Sequence, residues 1–397
     1  MDNKKSRLGL TVLLGMLTAL APLSTDMYLP SLPLMPGEFG VGTSMIQLTL
    51  TITMMGMAIG QVFAGPISDM RGRRMPLVVG MLIFALSTLV CVFAQDIWVF
   101  LVFRFMQGLA GAAGIVIAKA IARDICEGPE LTRFFSLLML VNGLAPILAP
   151  VIGGQVLRFS TWRGIFVLLV LIGILLMAAS MALHETLPPE RRVRNLRASF
   201  HSFRSLLSSR YFLGHCFLQC FFFGAFFAYI SGSSFVFQDI YGISAQAYSL
   251  VFGGIGAAIA VFGVVPARLA GRVSDYRLLL WSLVQALVGS GLFLLCCWFQ
   301  APVLLVILAL LVTIPMISVM GAASFSLAMQ TQGKNAGSAA ALIGFFSMIS
   351  GGLMAPLVGI AGSHNPMPMA VIMVLGYLGA LLCYVLMIAP AQHQDVA

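Results

Sequence analysis

The chain has 397 residues, of which 60% are hydrophobic and only 9% are charged. Soluble globular proteins carry about 25% charged residues, so 22 basic and 13 acidic side chains are too few to cover a soluble surface. The net charge of +9 does not indicate nucleic-acid binding, because such proteins place basic residues on an otherwise polar face. We therefore predict an integral membrane protein.

Twelve apolar segments along the chain are long enough to cross a bilayer as helices, for which about 20 apolar residues are needed. They are continuous and rich in Leu, Met, Phe and Gly, which favours helices over the alternating strands of a membrane barrel. The predicted spans are 8–30, 44–64, 75–94, 98–120, 132–155, 162–183, 211–235, 245–267, 278–299, 302–328, 337–361 and 367–389. The fold class is therefore an all-α membrane protein.

A polar stretch at 184–210 separates the spans into two groups of six. We predict an N-terminal half at 1–183, a cytoplasmic linker at 184–210 and a C-terminal half at 211–397. The beginning of the chain is similar to a signal peptide, but Pro22 directly follows Ala19-Leu20-Ala21 and disfavours cleavage there. We expect a retained first helix.

The distribution of Lys and Arg predicts the orientation. If the N-terminus is inside, 19 of the 22 basic residues fall in inner segments, and basic residues accumulate in cytoplasmic loops. We expect a bacterial inner-membrane protein with both termini in the cytoplasm.

No pattern in the sequence indicates an enzyme or a metal site. The G-x-x-x-x-G-K-[ST] phosphate loop is absent, which argues against ATP-driven pumping by this chain alone. The five His residues fall in loops or at helix ends, and the seven Cys residues form no C-x-x-C pair, so they are typical of apolar packing. We expect no cofactor and no metal.

Asp26 is the acidic residue that falls inside a predicted span, and Arg104 is its basic counterpart in span 4. A charge at the bilayer centre costs about 2.5–3.5 kcal/mol on insertion scales, so such residues usually pair or face a cavity. Counted from the outer ends of their spans, both lie roughly 6–9 Å deep at 1.5 Å per residue. We predict a proton-coupling carboxylate at Asp26; the alternative is that Asp26 merely caps the outer end of span 1.

The loop between spans 2 and 3 carries the pattern G-x3-D-x2-G-R-R. Its residues are Gly65, Asp69, Gly72, Arg73 and Arg74. The pattern resembles the signature loop of the major facilitator superfamily, although that family usually has a basic residue where this chain has Met70. We expect Gly65 to permit a close helix approach and Arg73 to pair with an acid.

Three further stretches are similar to the same superfamily. Residues 104–108 resemble its span-4 signature, and residues 25–33 resemble the opening of its bicyclomycin/chloramphenicol-resistance (Bcr/CflA) branch. Arg123-Asp124 and 185–188 fit that branch too. Residues 145–154 are similar to the span-5 signature of its drug:proton antiporters. The residues that carry this similarity are Pro146, Pro150, Gly153 and Gly154.

The resemblance implies a pseudo-symmetric bundle of six plus six helices that exports small lipophilic or amphipathic compounds, such as antibiotics, in exchange for protons by alternating access. In the family the signature loop latches the outward-facing state, which would involve Gly65, Asp69 and the pairing of Arg73 with Asp124, while Arg104 would relay protons to or from Asp26. Candidate cavity residues are Tyr28, Gln107, Asn142, Phe222, Phe226 and Tyr229. The expected partners are a small-molecule drug, protons and the lipid bilayer, without nucleic acid, and the expected state is a monomer.

Two alternatives remain open. One is a proton-coupled importer or exporter of metabolites on the same fold, which would need a more polar cavity. The other is a non-transporting membrane sensor, which would normally bring a soluble domain.

Overall fold

A computed structural model describes the residues 2–125, 128–192, 206–269, 272–330 and 336–390. Within these ranges the secondary structure is helical and includes no strand. The linker prediction is described only in part, because residues 193–205 lie outside these ranges.

Seven α-helices make up the first half of the described chain. They are α1 (Asp2–Asp26), α2 (Met35–Phe39), α3 (Thr43–Arg71), α4 (Arg74–Phe93), α5 (Ile97–Ile125), α6 (Gly128–Val156) and α7 (Trp162–Met181). Helix α1 packs on α5 and α6, and α4 packs on α5 and α7. Leu17, Met81, Phe84 and Ile117 lie in the resulting apolar core, whose burial stabilises the bundle.

Eight α-helices follow in the second half. They are α8 (Arg210–Phe235), α9 (Ala245–Gly263), α10 (Val265–Leu269), α11 (Asp275–Trp298), α12 (Val303–Thr313), α13 (Met316–Gln330), α14 (Ala336–Val358) and α15 (Met367–Cys383). Short π-helical segments continue α8 over Val236–Ile240 and α15 over Tyr384–Ile388. Helix α8 packs on α14 and α15, and α11 packs on α12, α13 and α15.

The chain divides into two compact units by its internal contacts. The first unit comprises 1–41 and 52–196, and the second comprises 42–51 and 197–397. The first turns of α3 therefore group with the second unit.

The number of membrane crossings agrees with the sequence prediction. Ten helical segments in the described ranges are long and apolar enough to span a bilayer, and two shorter apolar segments, Leu144–Val156 and Leu342–Val358, fall in predicted spans 5 and 11. The prediction of an all-α, twelve-span membrane fold is confirmed.

Prolines shift two of the predicted helix boundaries. Span 1 was expected to reach residue 30, but α1 ends at Asp26 and a 3-10 helix with two prolines follows over Leu29–Leu34. Predicted span 10 is interrupted between α12 and α13, where Pro315 lies. Proline lacks the backbone N–H that continues an α-helix, and its ring clashes with the preceding turn.

Candidate functional site: a buried acid and a buried arginine

Asp26 is the last residue of α1 and lies inside the first unit. Its side chain is 6% exposed, and its Oδ1 accepts a hydrogen bond of 2.9 Å from the hydroxyl of Thr25. A carboxyl group with so little access to solvent is costly to keep ionised without a partner. Its position at a helix end therefore does not make it a solvated cap.

Arg104, on α5, is completely buried and is held against the end of α1. Its Nη1 donates to the backbone carbonyl of Ser24 at 3.0 Å and to the side-chain oxygen of Gln107. The Gln107 amide in turn donates to the hydroxyl of Thr88 on α4 at 2.8 Å. A chain of hydrogen bonds through three helices thus fixes the orientation of the guanidinium.

Aromatic rings provide the remaining surroundings of this cation. The guanidinium carbon of Arg104 lies 4.5 Å from the ring centre of Tyr28 and 5.5 Å from that of Phe166 on α7. Such contacts stabilise a cation by about 0.5–2 kcal/mol. Sequence analysis did not identify Phe166, Thr88 or the Ser24 carbonyl, because an apolar ring or a backbone oxygen has no recognisable pattern.

Two N–H donor groups of Arg104 make no hydrogen bond within the described part of the chain. Its Nε and Nη2 are buried and have no hydrogen-bond partner among the described residues. Within the same part of the chain no ion pair joins Arg104 to Asp26. The site therefore combines a protonatable carboxyl group with a fixed cation that can accept one more anionic or carbonyl oxygen.

Gly153 of the span-5 signature brings α6 against the chain next to this site. A Cβ atom at Gly153 would overlap the carbonyl oxygen of Met27, the residue after Asp26. Pro146 and Pro150 lie in the same helix, and Pro150 and Gly154 are buried. The signature thus permits a backbone contact beside the carboxyl group.

We expect Gly153→Ala to destabilise the protein by about 2–4 kcal/mol, because either α6 or residue 27 must move. The matched control is Gly37→Ala in α2, where a Cβ would meet no atom within 4 Å and helix propensity favours Ala. Chemical denaturation in detergent measures both variants. Equal stabilities of the two variants would contradict the packing argument.

A second polar cluster surrounds Arg73 in the signature loop. The Nε of Arg73 pairs with the Oδ2 of Asp124 at 2.9 Å, so the pair that the resemblance implied is present. Its Nη1 contacts the carboxylate of Asp69 and donates to the Ser68 hydroxyl at 2.8 Å. Gly65 is less tightly packed than expected, because a Cβ there would lie 3.5 Å from Val116, which is ordinary contact.

Glu185 completes this cluster from the chain after α7. Its Oε1 accepts the backbone N–H of Arg73 at 2.7 Å and its Oε2 accepts that of Arg74 at 3.2 Å, so it caps the start of α4. Gly72 has a φ of 89°, a left-handed conformation that favours glycine. The sequence placed Glu185 only in a motif of the Bcr/CflA branch and did not predict this role.

The pH dependence of stability should reveal the Glu185 cap. Burial raises the pKa of Glu185, but hydrogen bonds from the backbone N–H groups of Arg73, Leu187 and Arg74 and the charge of Arg192 outweigh it and hold the pKa below its ordinary value of 4.5. A carboxylate with a lowered pKa stabilises the fold above 4.5 and loses that contribution as the pH falls through the lowered pKa.

We expect Glu185→Gln to be less stable than the parent at pH 7, and the difference to shrink below pH 4.5, by thermal unfolding in detergent. Glu190→Gln, an exposed neighbour, is the control and should match the parent at both values. A difference for Glu185→Gln that is independent of pH would contradict the argument.

The other cavity candidates belong to neither of these clusters. Phe222, Phe226 and Tyr229 belong to α8 in the second unit. Phe222 is buried and Phe226 is half-buried, while Tyr229 stacks on Phe252 with ring centres 5.3 Å apart. The side chain of Asn142 lies outside the described part of the structure.

His215 differs from the expectation for the histidines. It lies in the second turn of α8, is fully buried, and its Nδ1 is 2.9 Å from the Ser324 hydroxyl of α13. The sequence predicted that His215 lies near a helix end, which is correct, but it did not predict that the side chain is buried.

The helical fold, the buried charges and the ion-pair cluster together are those of a membrane transporter. Residues 14–356 match the Major Facilitator Superfamily, and the chain belongs to that family. Since its members are transporters, the chain is a transporter and not an enzyme. The resemblance found in the signature loop is thereby confirmed.

Several curated relatives are similar to the chain. The Uncharacterized MFS-type transporter YdgK of Bacillus subtilis is 40% identical over 95% of each chain. A bicyclomycin resistance protein homolog of Haemophilus influenzae is 35% identical over 64% of each chain. The multidrug resistance protein MdtL of Salmonella heidelberg is 29% identical over 59% of each chain.

Solved structures share the fold. A D-xylose-proton symporter has a TM-score of 0.77 at 14% identity, with 95% of this chain and 97% of that chain covered. A bacterial homolog of the human lysosomal transporter Spinster has a TM-score of 0.76 at 14% identity, with 96% and 97% covered. At such identities the likeness concerns the fold alone.

Proposed function

We propose that this transporter exports small lipophilic or amphipathic compounds, including antibiotics similar to bicyclomycin or chloramphenicol, in exchange for protons. It would act as a monomer in the bacterial inner membrane, with both termini in the cytoplasm. The names of the bicyclomycin-resistance and multidrug-resistance relatives support the substrate class.

The observation that carries the proposal is the buried site of Asp26 and Arg104. Asp26 is the group that would bind the proton, and substrate binding would favour its release. Arg104 would supply a buried cation in the same unit, and its free donors could receive the carboxylate or a polar oxygen of the substrate. The aromatic rings of Tyr28 and Phe166 suit an apolar compound.

The energy of one proton is sufficient for useful export. Moving one charge through 100 mV supplies about 2.3 kcal/mol, which sustains a concentration ratio of about fifty. A single embedded carboxyl group favours one proton per cycle and a neutral or weakly charged substrate.

The test compares accumulation of labelled chloramphenicol, and growth inhibition by a panel of antibiotics including bicyclomycin, in cells with and without the protein. We expect lower accumulation with the protein and loss of the difference after a protonophore is added. Export that persists after the protonophore would contradict proton coupling.

The same measurement separates the alternatives. Higher accumulation with the protein would indicate an importer, and unchanged accumulation and growth for every compound in the panel would contradict drug export. A sensor without transport activity would leave the accumulation of metabolites unchanged as well.

A further inference from the structure

The first unit contains a crevice that the transport site does not use. It has a volume of about 800 Å³ and lies among α3, α4 and α5. Its walls are mainly apolar, and Ile67 of α3 and Val79 of α4 are 41% and 46% exposed there. Such exposed apolar side chains suit contact with lipid tails, which are as apolar as Leu, so the crevice could receive an acyl chain.

The crevice has the depth of one leaflet. Its lining on α3 extends from Gly60 to Arg71, which corresponds to roughly 16 Å at 1.5 Å per residue. Half of a hydrocarbon core of about 30 Å is about 15 Å. An extended acyl chain can therefore follow the crevice from the bilayer centre to the headgroup region.

Positive charge is concentrated at one end of the crevice. Among the described residues, Arg71 and Arg192 are the charged ones in its lining, and this part of the chain places no carboxylate there. Arg71 is exposed and makes no ion pair within the described residues. An ideal Cβ on Gly72, the residue after Arg71, would lie 3.0 Å from the Nη2 of Arg192 and closer still to the Glu185 carboxylate, so Arg192 lies at the same end of the crevice as Arg71.

Arg192 also has unused hydrogen-bonding capacity. Its Nε is buried and has no hydrogen-bond partner among the described residues. Glu185 lies near enough for the charge of Arg192 to act on it, but the Glu185 oxygens already accept backbone N–H groups. A buried guanidinium N–H without an acceptor is costly, and a phosphate oxygen would satisfy it.

We propose that this crevice is a binding site for an anionic phospholipid, with one acyl chain between α3 and α4 and the phosphate on Arg71 and Arg192. Basic pockets between membrane helices bind acidic headgroups in this way. The site is separate from Asp26 and Arg104, and the proposal does not depend on the transported compound.

The experiment titrates the full-length protein in detergent with dipalmitoyl phosphatidylglycerol and measures bound lipid by native mass spectrometry. Parallel titrations use dipalmitoyl phosphatidylcholine and glycerol phosphate. We expect phosphatidylglycerol to bind at least ten-fold more tightly than either. Replacement of each arginine, Arg71→Gln or Arg192→Gln, should weaken it about five-fold, and both together about twenty-five-fold.

Matched controls test the position of the lipid. Arg277→Gln changes an exposed arginine at the start of α11 and should leave phosphatidylglycerol binding within two-fold. Val79→Phe should fill the crevice and weaken binding at least five-fold, whereas Val284→Phe, at a similarly exposed valine of α11 (43%), should not.

Three results would overturn the proposal. They are equal binding of phosphatidylcholine, equal binding of glycerol phosphate, which would indicate a site for a free anion, and unchanged phosphatidylglycerol binding in the double arginine variant. Unchanged binding in Val79→Phe would overturn the placement of the acyl chain.

Discussion

Replacement of Asp26 by Asn is expected to abolish proton-driven substrate accumulation in inside-out membrane vesicles, with normal membrane insertion. Asn has the shape of Asp, and its Oδ1 can still accept the hydrogen bond from Thr25, but its amide does not exchange a proton in a transport cycle. The substrate ratio across the vesicle membrane should fall from about fifty, the value that one proton sustains at 100 mV, to about one.

A direct measurement of protons strengthens this test. Addition of substrate to the purified protein in weak buffer should release about one proton per chain, read with a pH-sensitive dye, and Asp26→Asn should release none. Glu190→Gln removes an exposed carboxylate and should release as many protons as the parent. An Asp26→Asn protein that still builds a protonophore-sensitive gradient would refute the assignment.

Replacement of Arg73 by Ala is expected to destabilise the protein and to reduce transport strongly. Its guanidinium contacts the carboxylates of Asp69 and Asp124, and its removal leaves these two acids without their common cation. Loss of one partner of a fully buried ion pair costs about 3–5 kcal/mol. Since Asp69 is 43% exposed, we expect a smaller loss, about 1–3 kcal/mol, by denaturation in detergent.

The latch role that we propose for this cluster predicts more than a loss of stability. Arg73→Ala should lower the labelling, from the outside, of single cysteines introduced into the cavity, because the outward-open form is weakened. Arg73→Lys keeps the charge but not the planar, multi-donor geometry and should lie between the parent and Ala.

A double-mutant cycle identifies the coupled pair. Asp124→Asn should cost little stability in the Arg73→Ala background, because its partner is already gone. Arg272→Ala, at an exposed position, is the control for the loss of one charge. Full additivity of the Arg73 and Asp124 substitutions, or unchanged labelling, would count against the latch.

Much of the fold could be predicted from the sequence, because crossing a bilayer imposes a simple requirement. Runs of about 20 apolar residues marked the spans, and the resemblance of the loop around Arg73 to the family signature implied an ion pair. The missed boundaries at Asp26 and near Pro315 have a common cause. Hydropathy continues through the prolines at 30 and 315, but the α-helix ends before Pro30 and is interrupted at Pro315, because proline has no backbone N–H to donate.

The surroundings of the site could not be predicted, because they come from distant parts of the chain. Arg73 and the Glu185 carboxylate that receives its N–H are 112 residues apart, and Arg104 is 80 residues from the Ser24 carbonyl. The residue type alone does not show which backbone oxygen or which aromatic ring, such as that of Phe166, contacts the arginine. Burial of His215 likewise depends on α13, which only the packed structure brings beside it.

The end of α1 has a consequence for the electrical balance of the site. The last carbonyl groups of a helix have no partner within it and carry the negative end of its dipole, and Arg104 binds one of them at Ser24. The helix terminus thus places a fixed partial negative charge against the guanidinium. Each proton that Asp26 takes up or loses would change the summed formal charge of Asp26 and Arg104 between plus one and zero, so the cargo would encounter two electrically different environments at one site.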